Sequence, residues 1–207
     1  MKGKLITVSG IDGVGKSTLI ESISDRLKVQ GIDHITCSEP HPRLYMSATI
    51  RQIIKSTELP SNIVIGLVTS ARAEVCEKII NPGLKEGKII ISHRFLLDSM
   101  AYHDRKIALE AHKLLCDNIK PDCQIILDAD IDICKQRIKQ RNNPDEIDVF
   151  DNADDSVLEE RRQGFLWHLF TENTHVVDAT TKESTVFENT WDIVLPVIEQ
   201  LFEHNKL

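Results

Sequence analysis

The sequence contains no long apolar run, no basic block and no paired cysteine motif, and each absence excludes a class of protein. No segment reaches the roughly 18 apolar residues of a membrane-spanning helix, so we expect a soluble protein without a membrane partner. The net charge is −7 and Lys and Arg are not clustered, which argues against nucleic acid as a partner. The five cysteines are scattered without CxxC spacing, so we expect reduced thiols in a cytoplasmic protein and no zinc site.

A linker rich in Pro, Gly or Ser is also missing, and the composition does not shift along the 207 residues. A chain of this length suits one well-cored α/β domain, so we expect residues 1–207 to form a single domain. The N-terminal apolar stretch is short and leads directly into a glycine-rich loop, which argues against a signal peptide.

Five short apolar runs alternate with segments of helical periodicity. The runs are KLITVS, DHITCSE, GKIIISHRF, CQIILDAD and THVVDAT. Helices are predicted near residues 46–56 and 61–80 and at the C-terminus, where Pro196 is expected to kink or interrupt the helix. Strands that alternate with helices predict an α/β fold of three layers, in which helices flank a central, mostly parallel five-stranded sheet. The ligand is then expected at the carboxyl ends of the strands.

A glycine-rich stretch, GIDGVGKST at residues 10–18, lies between the first predicted strand and the first predicted helix. It matches the pattern G-x-x-x-x-G-K-[ST] and predicts a P-loop NTPase fold that binds a nucleoside triphosphate with Mg²⁺. Backbone amides and the helix N-terminus bind phosphate oxygens, Lys16 reaches the β- and γ-phosphates, and Ser17 ligates the metal. The residues of this loop predicted to bind the nucleotide are Gly10, Asp12, Gly13, Val14, Gly15, Lys16, Ser17 and Thr18.

The loop alone does not name the acceptor of the phosphoryl group, which can be water, a small molecule or a nucleotide. The sequence has no N-K-x-D guanine motif and no D-x-x-G after a strand beyond the P-loop itself, which argues against a GTPase switch. The chain is also short for an AAA-type or helicase motor. These absences leave a small phosphotransferase.

Three stretches resemble the thymidylate (dTMP) kinase family. GIDGVGKST is similar to the family's P-loop, and the segment LVTSARAEV to SHRFLLDSMAYH resembles its A-R helix, its D-R strand end and its S-x-x-A-Y-Q run. Glu39-Pro40, followed by Arg51, is similar to the family's R-E-P-G and [IL]-R. The resemblance implies a kinase that uses ATP and Mg²⁺ to phosphorylate dTMP or a close deoxypyrimidine monophosphate, and that commonly forms a homodimer.

The resemblance also implies roles for individual residues. Asp12 would face the acceptor sugar, and Tyr102 would crowd the 2′ position and favour deoxyribose. Arg51 and Arg94 would hold the acceptor phosphate, because guanidinium groups bind phosphate bidentately, and Arg72 would lie against or bond the base. The complete predicted acceptor site is Asp12, Glu39, Pro40, Arg51, Val68, Arg72, Arg94, Phe95, Ser99, Tyr102 and His103.

Catalysis is assigned by the same resemblance to Lys16, Arg94, Arg141 and Asp12. The family places basic residues in a lid, which corresponds here to about residues 137–152, with Arg137 and Arg141 matching its R-x-x-x-R. Both arginines are predicted to bind ATP. The residues themselves leave alternatives open: the arginine pair can form a solvated helix face, and Arg72 can be a snorkelling surface residue.

Departures from the family pattern bear on the substrate. His93 stands where the family has the acid of D-R, and Glu146 stands where its lid has an arginine. Val68 replaces an aromatic residue of the base pocket, and His103 replaces a glutamine. Two alternatives therefore stay open: a kinase of another deoxynucleotide or of a nucleoside, and a catalytically weakened nucleotide-binding regulatory protein.

Overall fold

The computed structural model describes residues 2–116, 119–140, 154–167 and 173–203. Its centre is a five-stranded sheet in which every neighbouring pair is parallel, in the order β2-β3-β1-β4-β5. This confirms the predicted five-stranded α/β sheet. The strands are β1 Lys4–Ser9, β2 His34–Ser38, β3 Ile89–His93, β4 Cys123–Asp128 and β5 Thr174–Asp178.

Helices connect the strands, as parallel pairing requires. They are α1 Lys16–Val29, α2 Tyr45–Ser56, α3 Ser61–Val75, α4 Asn81–Lys85, α5 Leu96–Tyr102, α6 Arg105–Cys116, α7 Ile131–Lys139, α8 Asp155–Leu166 and α9 Glu183–Glu203. Helix α3 passes through one π-helical turn, Cys76–Ile80, into α4. Pro196 lies inside α9, which continues past it, so the expected interruption does not occur. Within the described ranges, no helix is both long enough and apolar enough to cross a membrane.

Both faces of the central strands are buried, which explains their continuous apolar sequence. Ile89, Ile90 and Ile91 of β3 have no exposed surface. One core cluster packs α1 and α9 against the sheet, and a second packs the α3-to-α4 segment and the end of α6 against it. The helices and the sheet therefore form the three predicted layers.

Strand β1 lies at the point where the strand order reverses, between β3 and β4. The carboxyl ends of parallel strands meet at one edge of the sheet, and ligands of open α/β sheets bind at such a switch point. Ser9, His93 and Asp128 end the three central strands. Residues that follow β1, β2 and β3 line the cleft described below.

Helix α8 approaches α5 closely at Gly164. A Cβ atom on Gly164 would lie 2.9 Å from the carbonyl oxygen of Ala101 and 3.0 Å from its Cα atom. By contrast, a Cβ atom on Gly66 in α3 would meet nothing within 4 Å. The two helical glycines therefore differ in what an alanine at each position would contact.

We expect alanine substitution to stabilise the protein at Gly66 and to destabilise it at Gly164. Gly66→Ala should raise the free energy of unfolding by about 0.5–1 kcal/mol, because alanine loses less backbone entropy on folding. Gly164→Ala should lower it by about 1–3 kcal/mol, because the new methyl group forces α8 away from α5. Urea denaturation of the two variants and the wild type measures both effects. A stabilised Gly164→Ala variant would contradict the close approach.

Candidate active site

The phosphate-binding loop joins β1 to α1 through glycines in the left-handed region. The φ angles of Gly10, Gly13 and Gly15 are 139°, 81° and 106°. A Cβ atom on Gly10 would lie 2.5 Å from the Leu127 carbonyl oxygen, and one on Gly13 would lie 2.4 Å from that of Cys134. Glycine is therefore required at both positions, by conformation and by the space available.

Lys16 begins α1 and is folded back across the loop, with only 4% of its surface exposed. Its Nζ atom donates hydrogen bonds to the carbonyl oxygens of Gly10 at 2.9 Å and Ile11 at 2.8 Å, and lies 3.3 Å from Oδ1 of Asp12. Burial lowers the pKa of Lys16, whereas the Asp12 carboxylate opposes that shift. The ammonium group is thus held at the mouth of the loop, where phosphate oxygens bind.

Asp12 connects the loop to the strand end of β3. Its Oδ1 atom accepts hydrogen bonds from Lys16 and from Nη2 of Arg94, and its Oδ2 atom lies 3.4 Å from the hydroxyl group of Tyr102. Burial raises the pKa of Asp12, but the positive charges of Arg94 and Lys16 outweigh burial and bring the pKa well below its usual range. Asp12 is therefore a carboxylate shared by three groups of the site.

Arg94 follows β3 with a φ angle of 73°, in the left-handed region that few residues other than glycine adopt. Its Nη1 atom donates to Oδ1 of Asp98 at 2.9 Å, and Asp98 also accepts a hydrogen bond of 2.7 Å from Oγ of Ser9. The guanidinium group is consequently anchored by Asp12 on one side and by Asp98 on the other. Such anchoring fixes the direction of its remaining N–H groups.

Arg72 is an interior residue, so the alternative of a snorkelling surface arginine is wrong. Its Nε atom donates to Oε2 of Glu39 at 2.6 Å, and its Nη2 atom donates to the Phe95 carbonyl oxygen at 3.1 Å and to Oγ of Ser99 at 2.7 Å. Burial raises the pKa of Glu39 to about 7, even though the charge of Arg72 acts in the opposite direction. The segments after β2 and β3 are thereby joined to α3.

These groups face one cleft of about 1180 Å³, which exceeds the roughly 300–1000 Å³ typical of a single small-ligand pocket. Its size suits two ligands side by side. Gly10 does not line the cleft, although it shapes the loop, and Arg141 lies outside the described residues. The predicted site residues that line it are Asp12, Gly13, Val14, Gly15, Lys16, Ser17, Thr18, Glu39, Pro40, Arg51, Val68, Arg72, Arg94, Phe95, Ser99, Tyr102, His103 and Arg137.

Arg137 of α7 is half-buried against the loop. Its Nη1 atom donates to the carbonyl oxygen of Val14 at 3.2 Å, and its Nη2 atom donates to that of Ala179 at 2.9 Å. For Arg137, the alternative of a solvated helix face is therefore wrong. Most of the predicted lid, residues 141–152, lies outside the described part of the chain, and its role stays a prediction.

Sequence reasoning missed three contacts that shape the site. Asp98 lies four residues after Arg94 and contacts it. This i, i+4 spacing is the signal in the sequence from which the pair could have been predicted. Ser61 contacts Nδ1 of His103 at 2.9 Å, and no local pattern connects two residues so far apart. Arg162 binds both carboxylate oxygens of Asp128, at 2.7 and 2.9 Å, which makes Asp128 a structural strand-end acid.

The chemistry of the site fits a metal ion carried by a nucleotide. In the described ranges, no group of three or more His, Cys, Asp or Glu side chains could hold a metal by itself. The hydroxyl group of Ser17 is exposed in the cleft beside Lys16 and is an oxygen ligand, as Mg²⁺ prefers. Mg²⁺ commonly completes its coordination with substrate phosphates and water, which the neighbouring P-loop would position.

Known proteins are similar to this chain over most of its length. The family model described as thymidylate kinase matches residues 8–189. A thymidylate kinase of Legionella pneumophila is 28% identical over 221 aligned positions, which cover 99% of this chain and 98% of that protein.

Two further relatives are also named thymidylate kinases. The protein of Rhodopirellula baltica is 29% identical, with 86% of this chain and 74% of that protein covered. The protein of Fervidobacterium nodosum is 31% identical, with 66% of this chain and 72% of that protein covered. The match of the family model includes the P-loop, Arg72, Arg94 and Tyr102, and this chain therefore belongs to the thymidylate kinase family.

Proposed function

We propose that this protein transfers the γ-phosphoryl group of ATP to dTMP and releases ADP and dTDP. The observation that carries the proposal is that the P-loop lysine and the arginines Arg72 and Arg94 face one cleft. Asp12 joins the loop to Arg94 directly. The relatives named above are thymidylate kinases, which supports dTMP as the acceptor.

The donor half of the reaction depends on the loop and on Lys16. Backbone amides at the start of α1 bind the phosphates of ATP, and Lys16 exchanges its carbonyl partners for phosphate oxygens. When bound, Mg²⁺ neutralises charge on the β- and γ-phosphates, and Ser17 is the side chain that would hold it. The protein thus stabilises charge on the transferred group and does not form a covalent bond to it.

The acceptor half depends on arginines and Tyr102. Arg94, with Arg51 at the exposed wall of the cleft, holds the dTMP phosphate so that one of its oxygens faces the γ-phosphorus of ATP. That oxygen forms the new P–O bond while the bond from the γ-phosphorus to the bridging oxygen of ADP breaks. Tyr102, anchored beside Asp12, would lie against the deoxyribose, and Arg72 would face the base.

The part of the cleft that we propose holds the base has fewer aromatic side chains than the family pattern has there. Val64 and Val68 of α3 line it, and His103 is held there by Ser61. Burial, together with the nearby charge of Arg161, lowers the pKa of His103, so the imidazole is neutral at pH 7 and has one donor and one acceptor nitrogen.

We also propose that two copies of the chain associate, as the family resemblance implies, in the cytoplasm. Exposed apolar residues on α2, α3 and α6 support an association surface, since Ile53, Ile63 and Ile107 are each more than a third exposed.

An acceptor screen tests the proposed function. With ATP and Mg²⁺, ADP release should be fastest with dTMP, slower with dUMP and dCMP, and absent with thymidine, which offers no phosphate to Arg94. A coupled ADP assay measures the rates. A higher kcat/KM for thymidine or for another deoxynucleotide would identify a different kinase. Tight ATP binding without turnover of any acceptor would identify a regulatory nucleotide-binding protein.

Lys16→Ala should lower kcat at least about a hundredfold, because it removes the charge that stabilises the transferred phosphoryl group. The matched control is Lys28→Ala on the same helix, since Lys28 is exposed and pairs only with Asp25 among its described contacts. The control should keep wild-type kcat, and melting curves should show that both variants fold. Near-normal turnover by Lys16→Ala would refute the P-loop mechanism.

Val68→Phe should lower the KM for dTMP by up to about tenfold, because an aromatic ring adds roughly 0.5–1.5 kcal/mol of stacking with the base. Wild type should in turn accept 5-hydroxymethyl-dUMP, since the neutral imidazole of His103 can bond a polar substituent, and His103→Gln should reduce that acceptance. The control is Asn62→Phe on the same helix, at an exposed position outside the cleft. If Val68→Phe and His103→Gln leave the ranking of dTMP, dUMP and 5-hydroxymethyl-dUMP unchanged, these positions do not select the base.

A further inference from the structure

The side chain of Arg94 is held between two carboxylates from different parts of the chain. Asp12 of the P-loop accepts from its Nη2 atom, and Asp98 of α5 accepts from its Nη1 atom at 2.9 Å. A guanidinium group has five N–H groups, so these two contacts and the hydrogen bond that Arg94 shares with the Tyr102 side chain still leave donors for a ligand. The two anchors direct those remaining donors without occupying them.

Asp98 is itself fixed in position. It is 7% exposed and lines the cleft. Its Oδ2 atom accepts hydrogen bonds from Oγ of Ser9 at 2.7 Å and from the backbone N–H of Phe95 at 3.3 Å, while Oδ1 accepts from Arg94. Each carboxylate oxygen therefore has a partner, and the orientation of Asp98 is determined by β1, by the start of α5 and by Arg94 together.

The neighbouring strand end brings no negative charge. His93 is where the thymidylate kinase pattern has an acid, and it is half-buried beside Lys16, Arg94 and Asp12. Burial, followed by the charges of Lys16 and Arg94, holds the pKa of His93 well below its ordinary value, so the imidazole is neutral. Lys16 and Arg94 are consequently balanced by Asp12 and Asp98.

We propose that Asp98 is a positioning residue that orients Arg94 toward the acceptor phosphate and supplies the negative charge that the family pattern places at position 93. The inference rests on the proposed function, because Arg94 is the group through which Asp98 acts. A charge-assisted contact on each side keeps the guanidinium plane of Arg94 fixed before the acceptor binds. Binding of the acceptor therefore costs little further side-chain entropy. Asp98 lies five residues after position 93, and its charge acts on both Arg94 and Lys16.

A purely structural role for Asp98 has to be separated from this one, because its carboxylate also accepts the N–H of Phe95 at the start of α5. Asp104 offers a matched control. It is exposed, it accepts the backbone N–H of Ile107 at 2.9 Å, and it thereby caps the next helix, α6, without an arginine partner among the described contacts. Asp104→Asn makes the same side-chain change at the start of a helix and leaves Arg94 untouched.

The test compares Asp98→Asn, Asp98→Glu, Asp104→Asn and the double variant His93→Asp/Asp98→Asn. Asp98→Asn should lower kcat/KM for dTMP on the order of ten- to a hundredfold, the usual worth of a charge-assisted hydrogen bond, while the KM for ATP changes by less than about twofold. Asp98→Glu keeps the negative charge and should therefore lower kcat/KM for dTMP by less than Asp98→Asn does. Asp104→Asn should match wild type in both KM values.

The double variant is the decisive measurement, since it returns a carboxylate to position 93 while position 98 stays neutral. It should recover most of the dTMP affinity lost in Asp98→Asn, measured by calorimetric titration of dTMP as well as by kinetics. No recovery, or equal losses for dTMP and ATP in Asp98→Asn, would overturn the inference. If Asp98→Asn fails to fold, restored folding and dTMP binding in the double variant support the proposal, and continued unfolding overturns it.

Failure of the inference is distinguishable from failure of the proposed function. Wild type that neither binds nor phosphorylates dTMP overturns both. Wild type that phosphorylates dTMP, with an Asp98→Asn variant that matches it in kcat/KM, overturns only the role of Asp98.

Discussion

The ion pairs of Asp12 hold the two halves of the site together. A carboxylate removed from water is costly unless cations and hydrogen-bond donors compensate it, and here Lys16, Arg94 and Tyr102 all converge on it. The same contacts that compensate the charge fix the distance between the P-loop and Arg94. Phosphoryl transfer needs positioning and charge stabilisation above all, so this single carboxylate serves folding and chemistry together.

The parts of the structure that local sequence determines could be predicted. The five strands are continuous apolar runs, and the P-loop is a contiguous motif whose glycines are required by conformation, as the clash at Gly13 illustrates. The alternation of strands and helices predicts a parallel sheet, and it places the cleft at the carboxyl ends of the strands. Arg72 and Arg94, which the resemblance to thymidylate kinases assigns to the acceptor site, both line that cleft.

The remaining contacts join distant segments and leave no local pattern. From the local sequence, Arg72 can equally be a surface residue of a helix. Its partner Glu39 is 33 positions away and comes beside it only in the folded protein. The contact between Ser61 and His103 likewise depends on how α3 packs against the end of α5. Asp98 gives no signal for a different reason, because the thymidylate kinase pattern has its acid at position 93 and does not mark position 98.

The two hydrogen bonds of Arg137 connect the donor loop to the edge of the sheet. One ends on the carbonyl oxygen of Val14 and the other on that of Ala179, directly after β5. Because β5 is an edge strand with a single neighbour, it depends more than the central strands on contacts of this kind. Because Arg137 contacts both segments, we expect occupation of the loop and local opening of β5 to be thermodynamically coupled. A bound nucleotide that stiffens the loop would then also protect the far edge of the sheet from local unfolding.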